Sequence, residues 1–258
     1  MDPVDLLEVV EQSMLALPAI PGKIEVLDIP GVRARRTPPV AHPLTNLIGA
    51  ARSDTDHADA MIQQVCAVFM PRRETFGWFV DESSTPPDLG ERLGRAGLNK
   101  VGEIAGLVLD DLSIRIDTNP KVSVRRAVEA DRHNVVRLYT QAYPCPEPMA
   151  HLITDAITLL GGHNYLAFVE GEAKPVAVAS MYYWPTRPIV ALQGAATLDA
   201  FRGQGIYTAL MAVRLRDAQQ DGIQAAAMQS DRNTSAPICL KLGFREITSI
   251  AFYVWSPD

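Results

Sequence analysis

"DAFRGQGIYTAL" occupies residues 199–210. Arg202 is followed by glycines at 203 and 205, and a helical-looking run starts directly at Ile206. Upstream, "PIVALQGAATL" reads as a strand. Downstream, Ile206, Ala209, Leu210 and Val213 share one face of a helix running to about 221, and Gly222 stands where a C′ residue belongs. Glycine weakens regular structure, so two of them between a strand and a helix need a reason. Such a turn lets consecutive backbone N–H groups point outward beside the positive end of the helix dipole, a geometry that binds phosphate or pyrophosphate. With no Cβ, the backbone can approach the ligand closely, and Arg202 adds a charge. The same glycines would also serve an ordinary strand-to-helix connection, so the loop alone leaves both readings open. There is no GxxxxGK[ST], and "GQGIYT" is not GxGxxG, which disfavours a nucleotide-hydrolysing P-loop and a dinucleotide fold.

The rest of the composition narrows the class. The chain has 258 residues, 47% of them hydrophobic, enough for one large or two small domains. A net charge of -6 is not the footprint of a nucleic-acid binder. The basic run "RARR" at 33–36 is followed by "TPP" and reads as a solvated strand end. Cys66, Cys145 and Cys239 are odd in number and lack CxxC spacing, which argues against a disulfide framework or a zinc site. "DTDHAD" (54–59) lacks ligand spacing and reads as a helix N-terminus with favourable acids. The start "MDPVDLLEVVEQS" has neither a basic n-region nor a long apolar h-region, and no apolar run reaches the roughly 18 residues of a membrane span. The expectation is a soluble, reduced, cytoplasmic protein with no metal, no nucleic acid and no membrane partner.

The elements fall in two halves. Residues 3–16 read as a helix, "KIEVLDI" and "VRARR" as strands, and 56–70 as a helix with Ala60, Ile62, Val65, Cys66 and Phe69 on its apolar face. "FGWFVD" reads as a strand, "PPDLGERLGRAGL" as a helix and "GEIAGLVLDDLSI" as a strand. "DTNPK" (117–121) is the candidate linker, dividing a smaller N-terminal α/β domain, 1–117, from a second domain, 121–258. The second half reads β-α-α-β-β-β-loop-α-β-α-β. Its last helix, "NTSAPICLKLGF", opens on capping residues and an early proline and stops at Gly243. "REITSIAFYVW" ends the chain as a strand pair or one long strand.

Strand, "RGQG", helix, strand, "N…A…LKLGF" and strand together resemble the GNAT superfamily of acyl-CoA-dependent N-acetyltransferases. The family loop [QR]-x-x-G-x-[GA] is represented by Arg202, Gly203, Gln204, Gly205, Ile206 and Tyr207. Its N-x-x-A-x-x-L-Y-x-x-x-G-F helix is represented by Asn233, Ala236 and Leu240-Lys241-Leu242-Gly243-Phe244, one residue short between the alanine and the Gly-Phe pair. Counted back from Gly243, Ser235 takes the alanine place. The resemblance covers about residues 121–258 and implies a mixed, mostly antiparallel central sheet flanked by helices. "STPPDLGERLGRAGLNKVGEIAGLVLD" is similar to the family's last helix, turn and strand without a phosphate loop. The N-terminal half is therefore either a degenerate GNAT-like domain, as in tandem proteins of the family, or an unrelated α/β cap.

The resemblance also implies roles. The backbone of Ala196, Thr197 and Leu198 would run beside the pantetheine arm of acetyl-CoA, and the amides of 202–208, Thr208 included, would hold the pyrophosphate. Asn233, Ala236 and Cys239 would belong to the same coenzyme site. The acceptor would be an amine of a small molecule or peptide, attacked in a ternary complex; a non-catalytic acyl-CoA-binding module is the alternative. Relatives often carry an acid on the strand before the loop, but here Gln193 offers only hydrogen bonds, Glu170 and Glu172 sit near a hairpin turn, and Asp199 reads as a turn cap. Cys239 takes the place of the family's proton-donating tyrosine, as a candidate acid or a small buried residue. Tyr253, Tyr182 and Tyr183 are other candidate donors, or aromatic packing. Tyr207 replaces the usual Gly or Ala, and its side chain would reach either the phosphates or the helix–sheet packing. His151 and His163 border the expected acceptor cleft. A monomer or a homodimer both fit.

Overall fold

The computed structural model describes residues 3–143 and 145–257. In chain order the elements are α1 (Pro3–Gln12), β1 (Glu25–Leu27), β2 (Arg33–Arg36), β3 (Leu47–Gly49), α2 (Ala58–Phe69), β4 (Phe76–Val80), α3 (Leu89–Arg95) and β5 (Asn99–Leu109). Then come β6 (Val122–Arg126), α4 (Arg132–Ala142), α5 (Glu147–Leu159), β7 (His163–Val169), β8 (Ala177–Tyr183), β9 (Ile189–Thr197), α6 (Ile206–Gln220), β10 (Ala225–Asp231), α7 (Ser235–Lys241) and β11 (Arg245–Trp255). The architecture is mixed α/β, with mostly antiparallel strand pairs flanked by helices.

The chain divides into two compact units that interleave along the sequence. One gathers the stretch ending at Val10 with 107–229 and 235–245; the other gathers 11–106, 230–234 and the residues from Glu246 on. In the first, the strand order is β10-β9-β8-β7-β6. Three antiparallel pairs join β6 to β9, and β9 pairs parallel to β10. A parallel pair needs a crossover, and α6 supplies it. Both α4 and α6 pack on β8 and β9. This explains why β8 is buried along six consecutive residues rather than alternating.

In the second unit the order is β1-β2-β3-β4-β11-β5. The residues with helical spacing in α2, Met61, Ile62, Val65 and Phe69, close over Phe76 and Trp78 of β4 and Leu89 and Leu93 of α3. Phe69 and Phe76 stack with centroids 4.8 Å apart. β11 is one long strand, and its second half pairs antiparallel with β4, from Ala251 opposite Val80 to Trp255 opposite Phe76.

Three local expectations are corrected and one strand was not anticipated. Ala60 is exposed, because the buried stripe of α2 runs through Ala58, Met61, Ile62, Val65 and Phe69. "RARR" is not a solvated end. Arg35 is buried and donates to the carbonyls of Thr45 (2.9 Å), Leu44 (2.9 Å) and Met14 (2.5 Å). Arg36 forms ion pairs with Glu74 and Glu25. The stripe of α6 passes through Arg214 and leaves Val213 half-buried. β3, only three residues long, is too short for periodicity to register.

Candidate functional site

The quoted loop joins the end of β9 to α6 through a single turn at Asp199–Phe201. Gly203 (φ +77°) and Gly205 (φ +76°) take the left-handed conformation that other residues adopt only under strain. Gly205 is the cap residue of α6, and α6 has no side-chain cap. Among the described residues, no protein acceptor bonds the backbone N–H of Gly203, Gln204, Gly205, Ile206, Tyr207 or Thr208. Residues 202–205 are exposed. Six consecutive donors at the start of a fifteen-residue helix thus wait for an acceptor from outside the protein. Arg202 stands apart from this run. Its own N–H bonds Asp199 O, and its guanidinium is engaged by the Asp199 carboxylate (2.9 Å) and Thr197 O (3.3 Å). Asn119, from the segment before β6, braces the loop by donating to Gln204 O (2.9 Å).

Beside the loop, two strands part. β9 and β10 pair only at Ile189–Ala191 against Ala225–Ala227, and both continue beyond, β9 to Thr197. Within the continuing stretch, Ala196 is buried and Thr197 and Leu198 are half-buried. On its other edge β9 carries a bulge. Val178 faces Ala196 and Ser180 faces Gln193, so Gly194 and Ala195 together oppose Ala179. A Cβ on Gly194 would meet the Tyr139 hydroxyl at 3.0 Å. That hydroxyl donates to Gly194 O (3.1 Å) and shares a 2.5 Å bond with Ser180 Oγ, which itself reaches Asn164 Oδ1. Burial pushes the Tyr139 hydroxyl well above its ordinary pKa, so it stays a neutral donor. From α6, Arg214 Nη1 donates to Ser180 O (2.9 Å) and Gln193 O (3.5 Å), the pair on the last regular rung before the bulge.

The other anticipated residues fall in three groups. Tyr207 turns inward, placing its hydroxyl 3.2 Å from Cys239 Sγ, and burial raises its pKa strongly. Cys239 is fully buried and lies 3.6 Å from Met228 Sδ; Ala236 of the same helix is buried too. Asn233 is exposed in the turn before α7, where Asp231 Oδ1 accepts from its N–H and from Thr234. Tyr253 belongs to the second compact unit, and its ring lies over Gly90. Tyr182 is buried, and Tyr183 donates to Asp221. His163 contacts Arg126 (3.3 Å), and burial together with that cation lowers its pKa. His151 contacts Arg132 (3.3 Å) and Glu147 (3.7 Å). Glu170 and Glu172 are both exposed, in the β7–β8 turn. At "DTDHAD", Asp54 accepts from the His57 N–H and contacts its ring, and no group of three or more metal-ligating side chains occurs among the described residues.

Sequence reasoning did not single out Asn119, Tyr139, Ser180, Asn164 or Arg214. A signal existed for two of them. Ser180 is the one serine in the run of β8, and Arg214 interrupts the Ile206–Leu210 stripe at the next i+4 place.

The comparisons with known proteins point the same way as this geometry. Residues 132–244 match the Acetyltransferase (GNAT) family model. A GCN5-related N-acetyltransferase from Kribbella flavida superposes with a TM-score of 0.73 at 14% identity, covering 98% of this chain and 96% of its own. One from Sphaerobacter thermophilus gives 0.64 at 15%, covering 90% and 82%. A tandem GNAT protein from the clavulanic acid biosynthesis pathway gives 0.64 at 13%, covering 96% and 88%. No curated protein matches the sequence. At these identities the structural likenesses speak for the fold, and they extend over both halves of the chain. Residues 132–244 carry a GNAT-family domain, and over the rest of the chain the likeness to GNAT structures is one of fold.

Proposed function

We propose that this protein moves an acetyl group from acetyl-CoA to an amine of a small molecule or peptide, by direct attack in a ternary complex. The observation that carries the reading is the run of six uncapped amides, 203–208, at the α6 N-terminus beside the parting of β9 and β10. Those amides and the helix dipole suit the coenzyme's diphosphate. The backbone of Ala196, Thr197 and Leu198 is assigned to the pantetheine arm. Asn233, Ala236 and Cys239 are assigned to the coenzyme site by family resemblance. A main-chain N–H near the β9 bulge is the candidate donor to the developing oxyanion, a contribution often worth about 3 kcal/mol.

Proton handling follows from the chemistry. A primary amine with a pKa of about 10 must lose a proton before it attacks, and β9 carries no carboxylate to take it. Cys239 and Tyr253 remain the candidate proton donors to the sulfur. Cys239 is favoured, because its Sγ lies beside the Tyr207 hydroxyl on the same unit as the loop. The three free cysteines fit a reducing, cytoplasmic setting, and no helix among the described residues is long and apolar enough to cross a membrane.

The test is release of free CoA thiol from acetyl-CoA in the presence of a panel of primary amines. Turnover with any of them supports the enzyme. Firm CoA binding without turnover on any amine favours the non-catalytic acyl-CoA-binding module, and absence of CoA binding overturns both readings.

A further inference from the structure

Arg214 is the least expected residue of the first unit. It is 1% exposed, and every partner of its guanidinium is neutral: Ser180 O, Gln193 O and Leu210 O, with Met211 Sδ at 3.9 Å. No carboxylate forms an ion pair with it among the described residues. Asp217, one turn on in α6, is held instead by Arg126, Arg216 and the Tyr165 hydroxyl. The ionisable groups that face the guanidinium are Tyr207 on α6, Cys239 on α7, Tyr139 on α4 and Tyr165 on β7. The three tyrosines are held neutral by burial. A buried cation without an anion is expensive, and an apolar side chain of similar volume is often the more stable choice. The position of the charge suggests what offsets that expense. Arg214 lies nine residues past Gly205, about 14 Å along the helix at 1.5 Å per residue. That span is comparable with an extended pantetheine arm, and it ends on the β9 rung next to the bulge.

We infer that Arg214 supplies the positive charge that lets the coenzyme's sulfur depart as a thiolate. The inference rests on the acyl-transfer reading and replaces its side-chain proton donor to the sulfur, Cys239 or Tyr253, with a charge. The amine nitrogen forms a bond to the thioester carbonyl carbon. The C–S bond breaks, and its electron pair stays on sulfur. The amine's proton passes to water. The thiolate is the anion the buried guanidinium lacks, so the sulfur needs no proton from a side chain within the step and is protonated in solvent after release. This accounts for a site in which the family's donor position is a fully buried cysteine.

The test needs no acceptor. The thiol of CoA bound to the full chain is titrated by its ultraviolet thiolate absorbance, and the same titration with desulfo-CoA is subtracted so that protein cysteines and tyrosines cancel. The bound thiol is expected to titrate at least one unit below free CoA in the same buffer, a tenfold gain in thiolate at a given pH. Arg214→Met returns it to the free value or above, and Arg214→Lys keeps most of the shift. The same shift makes CoA, but not desulfo-CoA, bind about tenfold tighter as pH rises through the thiol's free pKa of about 8.5. A bound wild-type thiol at or above the free pKa overturns the inference even if Arg214→Met fails to fold. So does a shift that survives in a folded Arg214→Met. A purely structural arginine would change melting temperature and affinity while leaving the bound thiol's pKa where free CoA has it. Failure of CoA to bind in calorimetry sinks the acyl-transfer reading instead, and is thereby told apart from failure of the inference.

Discussion

Gly205→Glu tests the amide cradle with a worked magnitude. A Cβ at Gly205 would meet only Asn119 Cβ, at 3.6 Å, which is ordinary contact. Space is therefore not the obstacle. The backbone is, because φ is +76°, and a left-handed residue with a side chain costs about 1–2 kcal/mol. A carboxylate at a helix N-terminus returns about 0.3–1 kcal/mol, so the Glu variant should be no less stable than Gly205→Ala, the control that carries the strain without the charge. Binding is where they separate. A carboxylate about 5 Å from a phosphate charge repels it by about 1–3 kcal/mol for effective dielectrics between 80 and 20. The dissociation constant for CoA should rise by about one to two orders of magnitude over the control. In a thermal-shift assay, CoA at a hundred times its dissociation constant stabilises the fold by about 2.7 kcal/mol, and a hundredfold weakening leaves about 0.4 kcal/mol. If Gly205→Glu binds CoA within a factor of two of Gly205→Ala, the diphosphate does not sit on these amides.

Three further outcomes are expected. Burial, with Asp81 nearby, pushes the Glu11 carboxyl up to about 7 from 4.5. The folded chain then holds that proton more tightly than the unfolded one, so the contribution is fully present below 4.5 and is lost as pH rises through about 7. Glu11→Gln, which never ionises, should match wild type in urea unfolding near pH 4 and exceed it near pH 8; equal midpoints at the higher pH would refute this. Tyr139→Phe strips the hydroxyl that joins Ser180 Oγ to Gly194 O, and should lower unfolding free energy by about 1–3 kcal/mol in denaturant titration with little change in slope. Arg35→Met leaves the carbonyls of Met14, Leu44 and Thr45 without their guanidinium donor, and a loss of about 1–3 kcal/mol is expected in the same assay. A neutral result would mean that water replaces the guanidinium there.

What was legible in the sequence was what the backbone decides locally. Gly203 and Gly205 announce a turn with positive φ, and the 3.6-residue period of α6 announces the helix behind it, so the donor run could be placed without coordinates. What was not legible depends on partners brought from far along the chain. A charged side chain normally reads as exposed. Arg35 and Arg214 are buried because carbonyls from distant segments reach them, and neither set can be counted from the residues flanking the arginine. The same holds for β11, whose apolar run shows a strand but not that β4, some 170 residues earlier, is its partner.

The β9 bulge lies between these cases. Gly194 stands inside a strand pattern, and an isolated glycine there is a bulge signal. The reading of "PIVALQGAATL" as a plain strand passed over it. Its consequence, that Tyr139 and Arg214 reach β9 carbonyls beside the bulge, needed the register of β8 against β9. A site built on main-chain donors tolerates many side chains, which is why the loop could be read while the groups that tune the chemistry could not. With Arg214 setting the charge at the sulfur, the cysteine at position 239 is no longer a departure that needs a substitute, while the missing acid on β9 leaves the amine's proton to water.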